Sequence, residues 1–197
     1  MSPRRALPAL LLLPLLPSRP ARAQVAEVEA FHATLLEVMR NAQALGVKGR
    51  EARLRPAMEA AFNLPAMARI AIGPAWTGIA PPLQQALTRA FADWSIATYA
   101  SRFDGYGGER FVTEGQQTLA NGDRLVRTQL VRPNDAPVQL NYLLRDTGGA
   151  WRIVDIYLTG TVSELASRRA EFTVLLREGG PERLLQELRQ RTAALLR

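Results

Sequence analysis

The chain has 197 residues, with 25 Lys or Arg against 18 Asp or Glu, one histidine and no cysteine. The missing cysteines exclude disulfides, iron–sulfur clusters, thiolate zinc and a cysteine nucleophile, and a single histidine leaves a transition-metal site short of ligands. The formal charge of +7 overstates the basic character: four arginines stand in the first 22 residues with no acid, leaving 21 basic residues against 18 acidic ones, too even a balance for a nucleic-acid binder.

The amino terminus reads as a secretion signal. Arg4 and Arg5 precede an apolar run from Ala6 to Pro17, and Ala21-Arg22-Ala23 supplies the small residues of a cleavage site. The run is interrupted by Pro8, Pro14 and Pro17 and falls short of the roughly 20 apolar residues a membrane-spanning helix needs. Residues 1–23 are therefore expected to be removed, leaving 24–197 as one α+β domain in the periplasm.

Helices come first. Val28, Phe31, Leu35, Val38, Ala42 and Leu45 recur at spacings of three and four, one face of a long helix that Gly46 should stop. Arg50 to Ala61 and Pro65 to Ile72 predict two shorter helices. After Gly73-Pro74 and Pro81-Pro82, the residues Leu83, Leu87, Phe91, Trp94 and Thr98 mark another amphipathic helix ending near Gly105.

From Glu109 the period changes. Four extended runs follow (Arg110 to Ala120, Leu125 to Val131, Val138 to Leu144, Trp151 to Leu158), separated by Asn121-Gly122, Pro133-Asn134-Asp135 and Asp146-Thr147-Gly148-Gly149. Such short turns predict a four-stranded antiparallel meander. Helix returns from Ser163, the expected N-cap, to Arg177, and again from Pro181 after Gly179-Gly180. Leu165, Phe172 and Leu176 mark one side of the first of these.

The fourth run is apolar on both sides. Strict alternation puts Trp151, Ile153 and Tyr157 on one face and Val154, Ile156 and Leu158 on the other, while the third run places Val138, Leu140, Tyr142 and Leu144 together. Either helices cover both faces, or one concave face is partly filled and leaves room for an apolar ligand. Periodicity leaves both readings open.

Chemistry is sparse. His32 has no second ligand beside it. There is no phosphate-binding glycine loop in a strand–turn–helix setting and no Gly-x-Ser-x-Gly elbow. Asp155 lies mid-strand among apolar residues. It is either a structural carboxylate bonded to backbone N–H groups or to Arg168 or Arg169, or an acid in a cone-shaped pocket. Arg168-Arg169 is either solvated or turned to a phosphate headgroup.

Several segments together carry a resemblance. These are Leu54-Arg55-Pro56, Phe62-Asn63-Leu64-Pro65-Ala66-Met67-Ala68, Gly73 with Trp76, Phe91-Ala92-Asp93-Trp94 through Tyr99-Ala100, Trp151 to Ile156, and Gly160 to Phe172. Their order and spacing resemble the MlaC family, also called toluene-tolerance or ABC-transporter auxiliary proteins, over essentially all of the chain beyond the leader. Asn63 stands where that family usually has Asp. The turn Thr159-Gly160-Thr161-Val162-Ser163 is one residue longer than the family's and is closer to the hopanoid-biosynthesis-associated branch, HpnM. The resemblance implies a curved sheet flanked by helices, similar to the cones of nuclear-transport-factor-2-like proteins. It implies a soluble, non-enzymatic carrier without cofactor, whose cargo is a membrane lipid, phospholipid or hopanoid. It also implies inner- and outer-membrane complexes as donor and acceptor.

Burial of a methylene is worth about 0.8 kcal/mol, so a two-chain lipid carried through water needs a cavity at the upper end of the usual range, roughly 1,000 Å³. Facing and the family's architecture together nominate Trp76, Phe91, Val126, Leu130, Leu140, Tyr142, Val154, Ile156, Leu158, Phe172 and Leu176 as lipid-contacting residues. An envelope adaptor without cargo, or an enzyme using Asp155, are the competing expectations.

Overall fold

The structure, a computed structural model, describes residues 23–197. The signal expected over residues 1–23 thus lies outside the described residues except for Ala23. The apolar face predicted for the first helix is the buried face of α1 (Ala23–Arg40), with Val28, Phe31, Leu35 and Val38 all shielded. The helical path continues past a turn at Asn41 into α2 (Ala42–Ala61) and is broken inside it at Gly46, whose φ of 60° suits glycine alone. Arg50, itself buried, closes the break by donating from Nη1 to the carbonyl of Ala42 and from Nε to that of Ala100. Carbonyls near interrupted helix ends lack helical partners, and a guanidinium is well placed to supply them.

The α3 helix (Leu64–Ile72) begins at Asn63, whose side chain accepts the Ala66 N–H at 3.1 Å. An amide oxygen here does the same capping work as the carboxylate it replaces. A 3₁₀ turn (Gly73–Gly78) carries Trp76 and leads to α4 (Pro81–Arg102), which ends three residues short of Gly105.

Five strands form one open antiparallel sheet in chain order: β1 (Arg110–Thr118), β2 (Arg124–Arg132), β3 (Asp135–Asp146), β4 (Trp151–Leu158) and β5 (Val162–Ser163). The fifth has two residues, too few to carry a period, and adds an edge to the expected meander. The fold is the expected α+β class.

One facing assignment is corrected by the register. Tyr142 pairs with Ile156 and Leu143 with Asp155, but Leu144 pairs with Ile153, leaving Val154 without a partner as a bulge. The bulge turns Ile153 to the same face as Ile156, where both join the core, whereas strict alternation had set them on opposite sides. Ile153 also accepts the Asn63 N–H at its carbonyl, tying the α2–α3 junction to the sheet.

The last helix, α5 (Glu164–Leu195), is two segments joined at Gly179 and Gly180, as the paired glycines predict. Ser163 caps it, accepting from the Ala166 N–H. Leading and trailing helices share one face of the sheet. Phe31 and Leu35 of α1, Met58 of α2, Ala68 of α3, Phe91 of α4, and Leu165, Phe172 and Leu184 of α5 pack in one cluster with Tyr142, Leu144, Ile153 and Ile156. The other face is left with Arg127 exposed and with Leu125, Leu143 and Tyr157 partly covered.

Candidate functional site

Between that inner sheet face and the helices the packing is incomplete. An apolar cavity of about 150 Å³ is walled by Met58, Phe62, Leu64 and Met67 from the α2–α3 region, by Phe91, Trp94 and Tyr99 of α4, by Leu140 and Tyr142 of β3, by Ile156 and Leu158 of β4, and by Leu165 of α5. Phe103 closes one side, stacked on Tyr99 with centroids 5.5 Å apart. Ser95, Thr98, Arg102, Glu164 and Arg168 supply the polar part of the lining. Past Phe103 and Arg102 an open groove continues, lined by Met39, Leu130 and Val138 and by Asp104, Glu109 and Arg132.

The sequence-nominated residues divide accordingly. Phe91, Leu140, Tyr142, Ile156 and Leu158 come together on the cavity wall. Leu130 lines the adjoining groove. Val126 is buried on the same sheet face, paired with Tyr142, away from the cavity. Phe172 is fully buried behind the wall, against Phe91 and Trp94. Leu176 is partly buried further along α5, and Val154 sits on the bulge outside the core cluster. Trp76 lines a shallow hollow with Gln84 and Thr88. Trp94 and Leu165, which belong to apolar stripes visible in the sequence, line the cavity as well. Met58, Phe62, Leu64 and Met67 flank a helix junction, where no period advertises their facing.

Electrostatics of the polar lining are largely satisfied. Arg168 lies over the Trp94 ring at 4.4 Å and pairs with Glu164 at 2.5 Å and Glu171 at 3.5 Å. Arg169 donates twice to the Ile70 carbonyl, strapping α5 to α3 beneath Gly73. Neither arginine meets Asp155. One oxygen of that carboxylate accepts the N–H groups of Ile156 and Leu165, and the other accepts the Ser163 hydroxyl at 2.5 Å, so it fastens the start of α5 to β4.

His32 lies under the sheet, stacked on Phe111 with centroids 3.8 Å apart and hydrogen-bonded to the Tyr142 hydroxyl at 3.0 Å. Burial lowers its pKa to about 3, so it is neutral in the folded protein. The unfolded chain, with an ordinary histidine pKa near 6.5, binds the proton first as pH falls, so His32 contributes stability above that value and loses it progressively towards pH 3. About 2 kcal/mol should be lost between pH 7 and pH 5 from this residue. Urea titrations at the two pH values check it: His32→Gln should flatten that part of the profile, and an unchanged slope would assign the acid sensitivity elsewhere.

Among the described residues, no cluster of three or more His, Asp or Glu could hold a metal, and no helix is long and apolar enough to cross a membrane. Residues 29–190 match the sequence model of the family described as MlaC protein. The chain belongs to the MlaC family. No curated protein matches it. Among solved structures, it is similar to a phospholipid-binding protein from Ralstonia solanacearum, determined in complex with a phospholipid. The TM-score is 0.77 and the identity 22%, covering 89% of this chain and 99% of that one. At that identity the likeness establishes a shared MlaC-like fold. An apolar cavity between sheet and helices agrees with lipid binding.

Proposed function

We propose that this MlaC-family chain is a soluble carrier that shuttles a phospholipid or hopanoid between the inner and outer membranes. In this reading residues 1–23 direct export and are removed, residues 24–197 work in the periplasm, and membrane-bound transport complexes load and unload the cargo. The cavity carries the proposal, because its wall is mostly hydrocarbon and aromatic. The phospholipid held by the Ralstonia relative supports it. Asp155, the one carboxylate that suggested an enzyme, is engaged in holding α5. The large exposed apolar residues Tyr106, Val162 and Val174 sit on three separate elements, which gives an adaptor reading little to build on.

The cavity is much smaller than two acyl chains require. A dry apolar space of about 150 Å³ admits one benzene-sized group. Loading therefore requires the helices to move away from the sheet, with cargo hydrocarbon replacing the contacts they lose. Solvent extraction and native mass spectrometry of the protein purified from the envelope test the reading. Co-purifying lipid at close to one molecule per chain is expected, with a higher melting temperature than the stripped protein. A folded, lipid-free sample that takes up no lipid from vesicles overturns it.

A further inference from the structure

From Ala60 to Ala92 the chain holds no Asp or Glu, and its only charges there are Arg69 and Arg89, both exposed. This stretch spans α3, the 3₁₀ turn and the first half of α4. The turn is stiff. Gly73 takes a φ of 71°, and Pro74, Pro81 and Pro82 restrict the backbone on either side. The Trp76 carbonyl accepts from the Ile79 N–H at 3.2 Å and from the Gln84 side chain at 2.8 Å. The surface of the turn is uncharged, with Pro74, Ala75, Thr77, Gly78, Pro81 and Pro82 all exposed. Trp76 is half-buried among them, in a hollow shared with Gln84, Thr88 and Arg89, and among the described residues its indole N–H has no hydrogen-bond partner. Arg89 also borders a second hollow, between α4 and the end of α5, where Arg189 stands exposed. The acid in that hollow, Asp93, is paired with Arg55 at 2.9 Å. Neither Arg89 nor Arg189 takes part in a hydrogen bond or an ion pair among the described residues.

We propose that the Gly73–Gly78 turn docks the chain directly on an anionic bilayer surface, with Trp76 seated among the headgroups and Arg89 and Arg189 facing the surface charge. None of these three residues lines the apolar cavity, so the contact is separate from cargo binding and needs no cargo to form. A tryptophan ring is apolar with one polar edge, which suits the boundary between headgroups and acyl chains. Unpaired arginines beside it gain from a negative surface, and a stretch without acids meets no repulsion there. A backbone held by prolines loses little freedom on docking. The exposed side chains of the turn are small and offer a protein partner little apolar area, whereas a bilayer asks only for the ring and a positive border.

Flotation with large vesicles tests the contact, because protein bound to the surface rises with the vesicles whereas protein that has merely extracted a lipid stays behind. Vesicles of phosphatidylcholine with about 30% phosphatidylglycerol should carry the wild type upward, about tenfold or more over vesicles of phosphatidylcholine alone, and high salt should abolish the difference. Arg89→Gln with Arg189→Gln should weaken binding roughly twentyfold, at about fivefold for each charge. Both side chains are exposed, so this pair of changes leaves the fold intact. Trp76→Ser should weaken binding at least fivefold, and Arg127→Gln, on the open sheet face, should change it less than twofold. Equal flotation with both vesicles, or an arginine pair that floats as the wild type does, overturns the docking. So does a wild type that self-associates through Trp76 and ignores vesicles. Lipid-loaded protein that does not float overturns the docking and leaves the carrier standing; protein that floats but takes up no lipid does the reverse.

Discussion

Leu140→Arg should yield a folded protein that comes away from the envelope nearly empty of lipid. Leu140 is half-buried on β3 and faces the cavity beside Tyr142, across from Leu158. A guanidinium there cannot be left in hydrocarbon, so the long side chain must extend towards solvent and water must follow it. Both the lost apolar wall and the intruding charge act against cargo, and neither requires the surrounding core to unpack. Lipid occupancy should fall at least tenfold, with the far-ultraviolet circular dichroism spectrum retained. Ile156→Arg should empty the protein equally but with a larger loss of stability, since Ile156 is only 6% exposed. Arg127→Glu, on the opposite sheet face, is the control and should bind as the wild type does. Undiminished lipid in Leu140→Arg would place the cargo elsewhere on the molecule.

Asp155→Ala should be among the most destabilising single changes outside the apolar core. The carboxylate is 8% exposed and accepts from two backbone N–H groups and the Ser163 hydroxyl. Its removal leaves two backbone N–H groups and the Ser163 hydroxyl without that acceptor, and frees the first turn of α5 from the sheet. Each hydrogen bond to a charged acceptor contributes about 1.5–3 kcal/mol, so a total near 4 kcal/mol is expected after partial rescue by solvent. For a protein of this size that is about 10 °C in melting temperature. Asp155→Asn retains one acceptor and should lose less. Because Leu165 and Arg168 of the same turn form part of the cavity wall, lipid retention should decline with stability in Asp155→Ala. A loss below about 1 kcal/mol would show that the turn is held by its other contacts.

Much of the architecture was legible because it repeats. The three-and-four spacing of Val28, Phe31, Leu35 and Val38 fixes the buried face of α1, and the turn residues between extended runs fix the meander. The facing of β4 was not legible, since a bulge at Val154 interrupts the period without any residue that announces it. The cavity was half legible. Leu140, Tyr142, Ile156 and Leu158 follow from strand facing, whereas Phe62 and Leu64 reach it only because the Asn63 cap and the bond to Ile153 hold the helix junction against the sheet. Its volume was not legible at all. Free space is a small difference between large packed volumes, and the hydrophobic pattern that fills a core is the same pattern that lines a hole.

The place of α5 bears on how the chain is made. Leu165, Phe172, Leu184 and Leu188 belong to the same buried cluster as Val28 and Phe31 of α1. The nascent polypeptide therefore carries its amino-terminal helices with an unfinished core until the segment after Ser163 has emerged. Until then the apolar faces of α1 to α4 and the sheet are open to aggregation or to a chaperone. Late closure also keeps the polypeptide pliable, the state that the export proposed for residues 1–23 requires.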